Sequence, residues 1–250
     1  MRIKEKALAK LDDISQRYAE QPAVKVATDV ILSVIPLPGV GVGISSLLEA
    51  RASQLAEKNT RRFVEEVRTR LGRLEEDQVS RDYVESDEFT SLLLQMLRRN
   101  ATAHEEEKTR LFAQIFANSM LRDKSQTPYK EGFVQIIDDL SVDHMRVLAA
   151  MSEKYAAIPQ ERLKEGMAYV DADQVATELG LPLSRLVAYC EHLSRFGVLH
   201  EHRPFLGYES GHYELTPYGR EFAEFLRDEA DQKTGPEANG EPAIRGGSDG

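Results

Sequence analysis

The sequence predicts a mainly α-helical protein of 250 residues, and two observations predict this fold class. Apolar residues recur at intervals of three and four through residues 3–20 and 43–76, which is the spacing of amphipathic helices. No alternating, strand-like run precedes about residue 198, so sheet structure is expected only near the C-terminus. The prediction is an N-terminal helical bundle followed by a smaller domain with little strand.

The first predicted helix covers residues 3–20 and ends before Pro22. An apolar helical hairpin is predicted over residues 23–48, because Pro36, Pro38 and three nearby glycines cannot continue a regular helix. A long helix over residues 43–76 follows, and it is a candidate surface for association with a second copy of the chain.

The hairpin contains the longest uncharged run, 19 residues from 30 to 48, which is the length of a membrane span. Two interpretations remain open: burial in the helical core, or a hairpin that inserts into an anionic membrane or docks on a partner. Residues 1–73 carry 13 Lys and Arg against 9 Asp and Glu, and cationic segments are attracted to anionic membranes. The candidate membrane- or partner-contacting residues are Val30, Ile31, Val34, Ile35, Leu37, Val40, Val42, Ile44, Leu47 and Leu48.

Three further helices are predicted in the middle of the chain. Ser86 is placed to cap the first, with Asp87 and Glu88 at its positive end. Three glutamates at residues 105–107 open the second, and a short helix over residues 133–140 follows a polar loop.

Residues 141–230 are predicted to form a winged-helix domain with a short two-stranded wing. The predicted elements are helices from Ser141, over residues 171–179 and from Pro182, strands at residues 198–199 and 212–215, and a closing helix from Thr216. Proline is favoured just inside a helix start, where its missing N–H would have no partner. Helices followed by a two-stranded wing are typical of winged-helix domains.

The outer face of the third helix of this domain is the candidate binding surface. The candidate DNA- or partner-binding residues are Ser184, Arg185, Tyr189, His192, Arg195 and, in the wing, Arg203. Arginines contact phosphates and base edges, which favours DNA. Residues 171–250 carry 7 Lys and Arg against 15 Asp and Glu, however, and this acidic balance favours protein docking or a structural role. Nucleic acid is therefore the less favoured partner.

Composition limits the remaining classes of function. The net charge is −10, from 32 Lys and Arg against 42 Asp and Glu, which argues against nonspecific coating of nucleic acid. Cys190 is the single cysteine and falls on an apolar helix stripe, so we interpret it as a core residue. No signal-peptide pattern opens the chain, which predicts a cytoplasmic protein with membrane association as an open alternative. Residues 231–250 lack large apolar groups other than Ile244 and are predicted to be a disordered tail.

No motif in the sequence gives convincing evidence for a nucleotide, metal or catalytic site. Gly39, Gly41 and Gly43 resemble a phosphate loop only in spacing, since Ile44 stands where lysine would be needed. His200, His202 and His212 offer imidazoles for a metal, but ordinary wing residues are the simpler interpretation. We therefore expect no enzymatic activity, no cofactor and no metal.

Short motifs in the middle and C-terminal parts, over about residues 86–226, resemble the bacterial abortive-infection alpha family. They are EEEKxxLFAxIFANSM at 105–120, FVQIIDDLS at 133–141, LxxFGV at 193–198 and LTPYGRxF at 215–222. The resemblance implies an antiphage or growth-arrest role, and it implies no known active-site residues.

Together these inferences predict a helical region over residues 1–140, a winged-helix domain over 141–230 and a tail over 231–250. The predicted function is phage defence through protein or membrane interaction, with the hairpin as the moving part. The alternative is a winged-helix transcription regulator that dimerises through the helix over 43–76.

Overall fold

Helices dominate the computed structural model, which describes residues 2–20, 42–164, 168–202 and 211–227. Within these ranges lie eleven helices and one small three-stranded antiparallel sheet, so the mainly helical prediction is confirmed. Most of the predicted hairpin, residues 203–210 of the predicted wing and the predicted tail lie outside the described residues.

The N-terminal and middle parts of the chain are helical. In chain order the helices are α1 (Ile3–Glu20), α2 (Val42–Arg73), α3 (Arg81–Glu85), α4 (Asp87–Ala101), α5 (Glu106–Ser119) and α6 (Lys130–Asp139). The helix predicted over residues 3–20 is confirmed at both ends, and the predicted long helix is α2, which ends at Arg73 instead of residue 76. No predicted element corresponds to α3, because five residues are too few to show helical periodicity.

Serine side chains start two of these helices. Ser80 Oγ accepts a hydrogen bond from the backbone N–H of Tyr83 at 3.3 Å, and Ser86 Oγ accepts one from Phe89 N–H at the same distance. Each bond satisfies an N–H group that has no partner inside its helix. The predicted start of α4 at Ser86 is confirmed.

Three phenylalanines join α2, α4 and α5 in the core. The ring of Phe116 lies 6.0 Å from that of Phe63 and 5.0 Å from that of Phe89, centroid to centroid. All three side chains are fully buried. Buried aromatic pairs at these distances stabilise a core beyond the area they remove from water.

A buried polar network connects the same three helices. Asn59 of α2 and Asn100 of α4 each donate from the side-chain amide to the other's backbone carbonyl, at 3.1 and 2.8 Å. Thr109 Oγ1 of α5 donates to Asn100 Oδ1 at 2.7 Å. Because buried polar groups are costly without partners, these bonds favour one register of the helices over others.

The C-terminal part combines helices with the sheet. Its elements are α7 (Val142–Ala156), α8 (Gln160–Lys164), β1 (Val170–Asp171), α9 (Ala172–Leu179), α10 (Leu183–Arg195), β2 (Leu199–Glu201), β3 (His212–Leu215) and α11 (Pro217–Leu226). The strand order is β1-β3-β2, with β3 antiparallel to both neighbours.

The predicted pairing of two strands after α10 is confirmed, with Leu199 opposite Leu215. The expectation that no strand precedes residue 198 is wrong, because Val170 pairs with Tyr213. A two-residue strand shows no alternation in the sequence, so only its pairing with β3 identifies it.

The last helix returns to the middle of the bundle. Phe133 of α6 contacts the rings of Tyr218, Phe222 and Phe225, with centroids 5.5, 5.0 and 5.3 Å away. Helix α11 thereby packs against α5 and α6 as well as against α7. The division of the chain into domains at residue 140 stays a prediction.

Candidate functional site

Helix α10 carries the candidate binding residues, and its opposite side is anchored in the core. Leu186, Cys190 and Leu193 are fully buried, at the spacing that defines one helix face. Ser184, Arg185 and Arg195 are exposed, as the sequence predicts. The arginines therefore lie on a surface that a macromolecule can reach.

Tyr189 and His192 differ from the prediction, which assigns them to the outward face or its flank. Both side chains are half-buried against α7. Tyr189 Oη donates to Asp143 Oδ2 at 3.2 Å, and its ring meets the ring of His144 edge to face at 4.6 Å. His192 Nδ1 lies 3.0 Å from His144 Nε2. Intramolecular contacts therefore occupy the middle of the candidate face.

Burial also governs the titration of groups on this helix. Desolvation, followed by the negative charge of Asp143 and the hydrogen bond to it, raises the pKa of Tyr189. Desolvation, aided by Glu191, raises the pKa of Cys190 to about 12. Because the reactive form of cysteine is the thiolate, this thiol is inert at neutral pH. The prediction that Cys190 is a core residue is confirmed.

His144 is the residue of this site that the sequence analysis misses. It is the third residue of α7 and 8% exposed, and its Nδ1 accepts a hydrogen bond from Ser141 N–H at 3.2 Å. The available signal is the Ser-x-x-His spacing at a helix start. That signal is weak, because glutamate or glutamine usually takes this place in a capping box.

The three histidines in and beside β2 and β3 have different surroundings. His200 is exposed, whereas His202 stacks on Tyr169 with ring centroids 5.4 Å apart. His212 packs against the same tyrosine at 4.6 Å, and its Nδ1 contacts a carboxylate oxygen of Asp171. Among the described residues, no group of three His, Cys, Asp or Glu side chains is arranged to hold a metal ion.

A shallow cavity of about 260 Å³ lies beside this cluster. At the edge of this cavity, the guanidinium of Arg162 lies 5.5 Å from the centre of the Tyr169 ring. Lys154 also lines the cavity, but its ammonium is paired with Glu178 at 2.7 Å. The charged groups there are thus largely committed to partners within the chain.

Side chains of α5 and of the segment that follows it hold the end of α11 in place. Asn118 Nδ2 donates to the carbonyls of Phe225 at 2.6 Å and Arg227 at 3.2 Å, and Lys124 Nζ donates to that of Glu224 at 3.2 Å. Gln114 donates to the carbonyl of Leu226. These bonds satisfy carbonyls that a helix C-terminus leaves without partners.

The start of α11 is equally specific. Thr216 Oγ1 accepts from Gly219 N–H at 2.8 Å, which caps the helix. A side chain at Gly219 would overlap the carbonyl oxygen of Val198. The motif around residues 215–219 therefore serves close packing of the helix on the chain that enters β2.

The remaining candidates fall on parts of the chain that are not described. Arg203 and the hairpin residues from Val30 to Val40 lie outside the described residues. Val42, Ile44, Leu47 and Leu48 lie in the first turns of α2. No helix within the described ranges combines the length and apolarity needed to cross a membrane.

A family model described as abortive infection alpha matches residues 56–226 of the chain. No curated protein and no solved structure matches the chain. The matched segment begins within α2 and ends with α11, so it includes the capping residues of α11 and the whole of α10.

Proposed function

The chain belongs to the abortive infection alpha family, and from that premise we propose that it is a non-enzymatic phage-defence protein that acts by binding another macromolecule. The family match covers more than two thirds of the chain and includes the whole of α7 and α10, whereas the hairpin over residues 23–48 precedes it. The binding surface in this proposal is the exposed part of α10, around Arg185 and Arg195.

The proposal includes a winged-helix domain built from α7 to β3. Its support is the order helix, short helix, strand, helix, helix, strand, strand, together with the sheet order β1-β3-β2. In this arrangement α10 takes the place of the recognition helix, and β2 and β3 take the place of the wing.

The preferred partner is a protein instead of DNA, and the contacts of α10 with α7 support this preference. A recognition helix reads base edges with side chains near the middle of its exposed face. In α10 those positions are Tyr189 and His192, which are engaged with Asp143 and His144. Glu191, between them in the sequence, is exposed and would repel phosphate.

The hairpin over residues 23–48 is the second element of the proposal. We assign it as the moving part of a cytoplasmic protein, sheltered at rest and able to insert into an anionic membrane or dock on a partner. Its uncharged run of 19 residues within a cationic N-terminal region supports this assignment.

A phage-plating assay with matched arginine variants tests the proposal. Bacteria that express the chain should show reduced plating of a sensitive phage, and the double variant Arg185→Ala, Arg195→Ala should lose that protection while melting like the parent protein. The control removes two other exposed arginines, Arg81 and Arg122, and should keep protection.

Selection of bound sequences from a random-sequence DNA duplex pool distinguishes the proposed function from its alternative, a transcription regulator that dimerises through α2. The exposure of Arg185 and Arg195 is the observation that favours this alternative. We expect no enriched motif. Recovery of one motif, with binding weakened by about 1–3 kcal/mol in each single arginine variant, would replace the proposed function by the regulator.

A further inference from the structure

Two imidazole rings join α7 to α10. His144 Nε2 of α7 lies 3.0 Å from His192 Nδ1 of α10, and the rings meet edge to face with centroids 4.8 Å apart. His144 is buried and His192 is half-buried. A nitrogen-to-nitrogen distance of 3.0 Å is that of a hydrogen bond, which needs one proton between the two atoms.

The capping contacts of His144 assign that proton. Ser141 donates to His144 Nδ1 from its backbone N–H at 3.2 Å, and its Oγ lies 2.7 Å from the same nitrogen. Nδ1 is therefore an acceptor, and neutral His144 carries its proton on Nε2. The Nε2–H then donates to Nδ1 of His192.

A second proton on either ring would break part of this arrangement. Protonation of His192 at Nδ1 would direct an N–H against the Nε2–H of His144. Protonation of His144 at Nδ1 would direct an N–H against the backbone N–H of Ser141, so that only Ser141 Oγ could still bond to that nitrogen. Either event breaks a contact that holds α10 on α7 or that caps α7.

The charged groups around the pair come from three helices. Asp143 and Arg146 lie on α7, Lys108 and Glu107 on α5, and Tyr189 on α10, with its hydroxyl on Asp143. Desolvation lowers the pKa of His144 below its usual value, and the charges of His192 and Lys108 act in the same direction. The charge of Asp143 opposes them, without reversing the shift.

We propose that His144 and His192 form a proton-sensitive latch between α7 and α10, which is closed when both rings are neutral and opens in mildly acidic solution. Opening releases Tyr189 and His192 from α7 and so changes the exposed face of α10. The latch does not depend on which partner α10 binds.

The direction of the pH effect follows from the lowered pKa of His144. A histidine that titrates below its unfolded value of about 6.5 binds more protons in the unfolded chain. Its contribution to stability is therefore present above about pH 6.5 and is lost as the pH falls below that value.

The test compares the protein with a variant that keeps both hydrogen bonds but cannot titrate. The double variant combines His144→Gln with His192→Asn. The glutamine side-chain oxygen at position 144 can accept from Ser141, and its amide group can donate to the asparagine side-chain oxygen at position 192, which takes the acceptor role of His192 Nδ1. Between about pH 7.5 and about pH 5.5, Tm of the parent should fall by about 2–4 °C more than Tm of the double variant. The control, His200→Asn, removes an exposed histidine and should follow the parent.

Nuclear magnetic resonance titration of the imidazole protons tests the latch in the unmodified protein. His144 should titrate below the ordinary histidine pKa of about 6.5, and the contacts between its ring and those of Tyr189 and His192 should weaken through the same range. Equal pH dependence of Tm in parent and double variant, or titration of His144 at or above about pH 6.5, would overturn the proposal. None of these readouts involves phage protection, so failure of the latch and failure of the proposed function are distinguishable.

Discussion

Asn118 of α5 and Phe225 of α11 are joined by a hydrogen bond of 2.6 Å from the side-chain amide to the backbone carbonyl. These residues are more than one hundred positions apart in the sequence, and both are buried. The bond ties the end of the last described helix to the centre of the helical bundle. Its partners explain why a buried asparagine follows the apolar residues Phe116 and Ala117 on α5.

Replacing Asn118 by Ala should lower the free energy of unfolding by about 1–3 kcal/mol, because the carbonyls of Phe225 and Arg227 would lose their donor in a buried setting. Urea denaturation measures the loss. Gln135→Ala is the matched control, since Gln135 is exposed on α6 and should change stability by no more than about 0.5 kcal/mol. Equal stability of the two variants would contradict this role of Asn118.

A pair of glycine variants tests the close packing of α11. Gly219→Ala should destabilise the protein by about 3 kcal/mol or more, because the new methyl group would overlap the backbone of Val198. Gly72→Ala in α2 should be neutral or stabilising by up to about 1 kcal/mol, since no atom beyond its chain neighbours and the nearby backbone of its own helix lies within 4 Å of the added carbon. Thermal melting of both proteins gives the comparison, and a neutral Gly219→Ala would show that α11 is not packed as described.

The charge variant Gly41→Asp tests the hairpin, which lies mostly outside the described residues. We expect a loss of several kcal/mol of stability, because an unpaired carboxylate would be buried in the sheltered hairpin. Gly240→Asp makes the same chemical change in the predicted tail and should leave Tm unchanged.

Co-flotation with anionic liposomes distinguishes the other interpretation of the hairpin. A Gly41→Asp protein that melts like the parent but no longer floats would contradict burial in the resting protein. It would instead support a hairpin exposed to water before insertion, because a charge in the hydrocarbon costs about 2.5–3.5 kcal/mol.

Removal of the predicted tail should have little effect on folding. A chain that ends before Gln232 should unfold with a free energy within about 0.5 kcal/mol of the parent, because the deleted segment contains few apolar side chains. Differential scanning calorimetry is sufficient to measure this, and a marked drop in Tm would mean that the segment docks on the folded part.

Local patterns in the sequence determine the longer helices, the cap at Ser86, the strand pair after α10 and the core position of Cys190. Each of these depends on residues within one turn or one hairpin, so periodicity and capping chemistry predict them. The resemblance over residues 86–226 also identifies the family, whose model extends the match to residue 56.

Only the tertiary structure decides which residues meet from distant parts of the chain. Strand β1 is identified by the pairing of Val170 with Tyr213, and the end of α11 is capped by Asn118. The outward side of α10 is partly covered because His144 lies opposite His192. Helical spacing assigns each side chain to a face, but it does not say which other helix packs against that face. The contacts across helices therefore determine which part of α10 is left to bind a partner, because packing of the whole chain sets the burial of Tyr189 and His192.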